Sequence, residues 1–322
     1  MAPMDLRVRL LGRLVRRVAV SNLDEEQLAR YKGHRFNHNP VVDWLFGGVA
    51  RGVELTDTTA TGQVGPLPVR VHRPQGRSDA PLPLVVEFHG GGWTLGSLEQ
   101  ADWLCSNVAA TAGVVVASVD YRLAPEHRWP AAAEDCYAAL VDLVGRAASF
   151  GADPEGVAVM GDSAGGNLSA VVSLMARDRG GPRIGFQGLL YPATDLTLSS
   201  PSLEQNADAP MLTRADCVAF RDHYLGGQDP KHPYASPLLA SDHAGLPPAL
   251  VQVAEHDPIR DDGLRYAAAL RDAGVPVRTT EYVGMPHGYL SFPRLCRCAP
   301  QALAELCAEL TAALAPALHE QP

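Results

Sequence analysis

Gly161-Asp162-Ser163-Ala164-Gly165-Gly166 ends the apolar run Gly156-Val157-Ala158-Val159-Met160 and opens a small-residue stretch, Asn167-Leu168-Ser169-Ala170-Val171-Val172, that reads on as helix. A strand that turns sharply into a helix at a serine crowds the backbone two residues to either side. Gly161 and Gly165 are therefore steric requirements of the turn. The turn lifts the Ser163 hydroxyl out of the sheet edge, and the helix that follows points its N-terminal amides at any negative charge developing there. A G-x-S-x-G pentapeptide also arises by accident in glycine-rich chains, so its neighbours decide its meaning.

Upstream, the strand-like Leu84-Val85-Val86-Glu87-Phe88 runs into His89-Gly90-Gly91-Gly92-Trp93. Three glycines expose backbone N–H groups that no side chain shields, which suits an anion or a carbonyl oxygen becoming an alkoxide. A glycine-rich turn without a ligand is the competing reading. No Gly-Lys-Ser or Gly-Lys-Thr follows, which argues against a phosphate loop.

Downstream, Ala249-Leu250-Val251-Gln252-Val253-Ala254 leads into Glu255-His256-Asp257-Pro258, and Val277-Arg278-Thr279-Thr280-Glu281-Tyr282-Val283 leads into Gly284-Met285-Pro286-His287-Gly288. An acid after one strand and a histidine after the next give the order Ser, Asp, His that an α/β-hydrolase architecture requires. Most of the eleven histidines have no claim to be a base. His287 stands out because it lies in a loop at a strand end, between a proline and a glycine. His89 reads as a residue bracing the glycine loop. Asp261 and Asp262 rival Asp257, but they fall in the first turn of a helix beginning near Ile259, where carboxylates favour the helix dipole without any catalytic role.

These residues make the chain resemble the bacterial hormone-sensitive-lipase-like esterases of the α/β-hydrolase fold. The resemblance runs from about His72 to Tyr289, through HGGGW at 89 to 93, DYRLAPEHRWPAA at 120 to 132, GDSAGGN at 161 to 167, DPIRDDG at 257 to 263 and HGY at 287 to 289. It implies Ser163 as nucleophile, Asp257 as acid and His287 as base, with oxyanion-hole amides from Gly91, Gly92 and Ala164. Trp93 and Tyr289 stand where phenylalanine is common in that family, and Asp262 where glutamate is. The activity implied is hydrolysis of short- to medium-chain acyl esters through an acyl-enzyme. Other acyl hydrolases, acting on amides, lactones or acetylated sugars, would use the same residues. A small-molecule receptor on this fold would lack the triad histidine, and a dehalogenase or epoxide hydrolase would carry a carboxylate in place of Ser163.

At 322 residues the chain is long enough to bury a large core without disulfide or metal staples. Cys105, Cys136, Cys217, Cys296, Cys298 and Cys307 show no zinc or redox spacing and mostly fall in apparent helices, which favours a reducing cytoplasm. No cofactor or metal is implied. A net charge of −9 argues against nucleic acid as a partner. A small ester is the expected partner, and a homodimer stays open.

No run of 18 apolar residues is present, so no spanning helix is expected. Near the start, Arg7, Arg9, Arg13, Arg16 and Arg17 alternate with Leu6, Leu10, Leu11, Leu14, Val15 and Val18. The arginines interrupt any signal-peptide core. What remains is an amphipathic helix that packs its leucine stripe on the rest of the protein or touches a lipid surface transiently.

Alternating strands (84–88, 114–119, 157–160, 186–190, 249–254 and 277–283) and helices predict a mostly parallel sheet covered on both faces. Val53 to Leu55 and Val69 to His72 read as edge strands around a glycine turn, Asn37 to Pro40 as a turn and residues 74–79 as a loop. The expected organisation is an α/β-hydrolase catalytic domain from 51–195 and 228–322, with a helical cap from 1–50 and 196–227. Trp93, Met211, Leu212, Phe220 and Tyr224 are candidates to line a substrate pocket, with cap core as the alternative role. Three glycines without Cβ atoms also predict room beside the loop for a branched alcohol, unless Trp93 fills it.

Overall fold

The computed structural model describes residues 2–4, 6–16, 19–32, 39–76 and 80–315. Its strands are β1 (Val53–Thr61), β2 (Pro66–Pro74), β3 (Leu82–Phe88), β4 (Val115–Val119), β5 (Ala152–Asp162), β6 (Phe186–Leu190), β7 (Ala249–His256) and β8 (Val277–Pro286). They form one sheet in the order β1-β2-β4-β3-β5-β6-β7-β8. From β4 to β8 every neighbouring pair is parallel, whereas β2 runs antiparallel to both β1 and β4. The β2 position corrects the sequence reading: Val69–His72 pair with Val116–Val119, so β2 lies inside the sheet and only β1 forms that edge.

The helices are α1 (Leu6–Val15), α2 (Glu25–Lys32), α3 (Pro40–Phe46), α4 (Leu98–Val108), α5 (Ala131–Gly145), α6 (Ala164–Asp178), α7 (Ser202–Gln205), α8 (Arg214–Leu225), α9 (Arg260–Asp272) and α10 (Ala299–Leu314). Successive strand residues face opposite sides of the sheet. Leu84, Val86, Val157 and Val159 therefore pack with α5 and α6, while Val85, Ala158 and Met160 pack with α4 and α10. α9 covers β6 and β7 through Tyr266, Ala267 and Leu270. Strands buried on both faces are apolar at every position, which is why these central runs are continuous in the sequence. Truncating one fully buried side chain of this core, such as Leu168 to Ala, costs about 2–5 kcal/mol.

The N-terminal part packs against the segment between β6 and β7. A Cβ at Gly12 of α1 would lie 2.1 Å from Pro210 Cβ, and the Ser21 N–H donates to Asp216 Oδ1 at 3.1 Å. α1 buries Val8 and Leu11 and leaves Leu6 and Leu10 exposed, so only part of the expected stripe faces inward. α3 starts at Asn39, whose side chain accepts from the amides of Val41 and Val42. Arg17 and Val18, the turn residues Asn37 and His38, and loop residues 77–79 lie outside the described residues. Among the described residues, no helix is long and apolar enough to cross a membrane.

Candidate active site

β3 and β5 lie side by side at the centre of the sheet, with β4 beyond one and β6 beyond the other. Chain connections diverge there, and the ends of the two strands leave a crevice. β5 ends at Asp162, and Ser163 follows at φ 55°, ψ −114°, a conformation costly for any residue with a side chain. It is held on both sides, because the Ser163 N–H donates to Leu190 O at 2.8 Å and Ser163 O accepts from Asn167 N at 3.0 Å. The turn closes only on glycine. A Cβ at Gly165 would come within 1.7 Å of Phe88 O, and one at Gly161 within 2.4 Å of the Gly165 carbonyl.

Ser163, Asp257 and His287 come together from three strand ends. His287 Nε2 is 2.8 Å from Ser163 Oγ, and His287 Nδ1 is 2.7 Å from Asp257 Oδ2. Asp257 is fully buried, and its other oxygen accepts from Ile259 N at 2.9 Å. The rival acids are engaged elsewhere: Asp261 accepts from Ser202 N at 2.9 Å, and Asp262 from Ser200 Oγ and Asp195 N. Asp262 stands in the first turn of α9, as the sequence reading places it. It is buried, and burial pushes its carboxyl up to about 8.

In the loop after β3, the carbonyls are tied down. Gly91 O accepts from Leu95 N at 2.8 Å, Gly92 O from Thr94 Oγ1 at 2.9 Å and Trp93 O from Ala124 N at 2.8 Å. The amides of Gly91, Gly92 and Ala164 have no acceptor among the described residues. Close packing of the loop on its protein side requires all three glycines. A Cβ at Gly90 would lie 2.5 Å from Asp162 Oδ2, one at Gly91 2.2 Å from Leu95 O, and one at Gly92 2.1 Å from the Phe220 ring. Protein atoms fill each of those positions. His89 braces the loop as its sequence position predicts, stacked on Tyr121 with its carbonyl accepting the Tyr121 hydroxyl at 2.7 Å.

A cavity of about 360 Å³ opens at Ser163. Of the expected pocket residues, Trp93, Met211, Leu212 and Phe220 line it and Tyr224 does not. Tyr224 is fully buried behind Trp93, with ring centroids 4.4 Å apart and planes within 6°. Phe46, Trp103, Leu290 and Phe292 also line the cavity. Phe46 and Trp103 lie outside the motifs along the chain, whereas Leu290 and Phe292 follow directly after HGY. Glu87 reaches the same cavity from β3, buried beside Ser118, and burial pushes its carboxyl up to about 8.

Three further residues support the site, of which only Asp162 belongs to a motif quoted above. Asp162 Oδ1 accepts the Gly90 N–H at 2.7 Å. Tyr191 sets its ring edge-on to His287 at 5.0 Å and to Tyr289 at 5.1 Å. Asn206 donates to the main-chain oxygens of Glu255 and Asp257 at 3.2 and 3.1 Å. The hydroxyl of Tyr289 donates to Gln252 Oε1 at 3.2 Å, a bond phenylalanine could not make.

Residues 85–291 match the alpha/beta hydrolase fold family. The chain is similar to Carboxylesterase NlhH of Mycobacterium tuberculosis, 47% identical over 252 residues that cover 77% of this chain and 79% of that protein. It is similar to an ethyl acetate hydrolase of Pseudomonas putida, 37% identical over 74% of this chain and 75% of that protein. Among solved structures, the hyperthermophilic esterase from the archaeon Pyrobaculum calidifontis superposes with a TM-score of 0.84 at 37% identity, covering 98% of this chain and 100% of that one. With a match across most of its length and relatives at this identity, the chain belongs to the α/β-hydrolase fold family, as one of its bacterial hormone-sensitive-lipase-like esterases.

Proposed function

We propose that the protein is a serine carboxylesterase that hydrolyses short- to medium-chain acyl esters through Ser163, His287 and Asp257. The observation that carries this is the unbroken line from Asp257 Oδ2 through His287 to Ser163 Oγ, with 2.7 and 2.8 Å steps, beside three amides without an acceptor among the described residues. Ser163 Oγ attacks the ester carbonyl while His287 Nε2 takes the hydroxyl proton. Asp257 holds the imidazole with Nδ1–H toward itself and stabilises the charged ring. The carbonyl oxygen becomes an alkoxide that the N–H groups of Gly91, Gly92 and Ala164 bind, and each such donor is worth about 3–4 kcal/mol in the transition state. His287 then gives its proton to the leaving alcohol, and an acyl-enzyme remains. Water, deprotonated by the same nitrogen, releases the acid and restores the serine.

The cavity volume supports a small ester, since 360 Å³ lies near the low end of ligand sites, which span roughly 300–1,000 Å³. Residues 1–50 and 196–227 act together as a two-part cap over the catalytic domain. The contact of Gly12 with Pro210 and the approach of Met211, Leu212 and Phe220 to the cavity support that division. Six cysteines outside any disulfide favour a reducing compartment such as the cytoplasm. Labelling with an organophosphonate tests the reading. Stoichiometric modification mapped to Ser163 with loss of esterase activity is expected, and modification elsewhere or none rejects it.

A further inference from the structure

Gly92 and Trp93 are consecutive residues in the left-handed region, at φ 61° and 56°. For tryptophan that conformation costs roughly 1–2 kcal/mol, so the surrounding structure must hold it. Part of the hold is the Trp93 O bond to Ala124 N. The rest comes from α8. The Phe220 ring sits where a Gly92 side chain would begin, and one helical turn later the Tyr224 ring lies flat against the Trp93 indole. α8 is itself fixed at both ends. Thr213 and Asp216 form a reciprocal cap at its start, and near its end the Tyr224 carbonyl accepts from Trp129 N at 2.8 Å.

We propose that Phe220 and Tyr224 are positioning residues that press the Gly92–Trp93 backbone into the conformation in which the Gly92 amide faces the developing alkoxide. This rests on the reading of Gly92 as an oxyanion donor. The segment between β6 and β7 then has a part in the chemistry besides enclosing substrate, because α8 shapes the far side of the loop that β3 delivers. Ring contact carries the effect. Neither the Tyr224 hydroxyl nor the Trp93 indole N–H has a hydrogen-bond partner among the described residues, so stacking is what joins them. Tyr224 does not line the cavity, so altering it reaches substrate only through Trp93 and Gly92.

The test compares the native protein with Tyr224→Phe, Tyr224→Leu and Phe220→Ala on 4-nitrophenyl acetate and its thionoacetate analogue. Organophosphonate titration of Ser163 supplies the concentration of competent sites. A hole built of N–H donors favours developing oxygen over sulfur, so a displaced amide shrinks the oxygen-to-sulfur preference, which general loss of folded protein does not change. Tyr224→Leu is expected to lower kcat about tenfold per titrated site with KM within about twofold, and to shrink the preference by about the same factor. Tyr224→Phe should recover both, since it keeps the ring and removes an unpartnered hydroxyl. A native kcat and preference in Tyr224→Leu, or a change confined to KM, overturns the proposal. If Tyr224→Leu does not fold, half-buried Phe220→Ala is read by the same ratio: a smaller preference supports the proposal and a native one overturns it. Absence of the Ser163 label in the native protein would refute the nucleophile assignment itself, and so is distinct from failure of the positioning role.

Discussion

Asp162 accepts the Gly90 N–H at 2.7 Å, so the residue before the nucleophile also ties the glycine loop to the end of β5. Serine and loop are thereby set in a common frame. Asp162→Ala should lower kcat by about 10–100-fold with little change in KM, because a loosened loop weakens binding of the transition state more than of the ground state. Steady-state kinetics on a short aryl ester checks this, and a loss confined to KM contradicts it.

Asp257→Asn should remove most of the activity, on the order of a thousandfold or more, since an amide beside Nδ1 favours the wrong tautomer of His287. Asp261→Asn should keep kcat within a few-fold, because its carboxylate bonds Ser202 N and has no contact with the imidazole. The reverse pattern would move the acid to the start of α9.

Glu87 gives the stability curve a definite slope. Burial raises its carboxyl from 4.5 to about 8. Between those values the unfolded chain has released its proton while the native state retains it, so stability falls as pH rises through this window. The limiting slope is roughly 1.4 kcal/mol per pH unit for one group. Glu87→Gln should flatten urea-derived stability between pH 5 and 8 relative to the native protein, whatever its absolute stability. Parallel curves for the two proteins would contradict the assignment.

Gly165→Ala should destabilise by ~3 kcal/mol or more, because the added Cβ would sit 1.7 Å from Phe88 O and main chain cannot yield as a flexible side-chain end does. Thermal unfolding measures it. A variant with native stability would contradict the close approach of Gly165 to Phe88 O.

The sheet and the residues that meet at Ser163 were legible for one physical reason. Strands buried on both faces read as unbroken apolar runs, and sharp turns at their ends demand glycine and proline, so Val157–Met160 and Gly161–Gly166 announce themselves locally. β2 did not, because polar residues interrupt the strand itself: His72 is buried against Asp102, and Arg70 is paired with Asp57 and Asp102, so an interior strand reads as an edge. Tyr224 and Phe220 are both pocket candidates in the sequence, which does not say which ring meets substrate and which lies behind Trp93. Phe46 and Asn206 reach the site only through tertiary packing of distant segments.

Turnover by Ser163→Ala tests the central claim most directly. Its Oγ is the atom 2.8 Å from His287 Nε2, and no other side chain can supply it. On 4-nitrophenyl acetate, with circular dichroism and thermal unfolding matching the native protein, kcat should fall by about a thousandfold or more. Retention of more than roughly a tenth of the native rate would contradict the account, since catalysis would then not pass through an acyl group on Ser163.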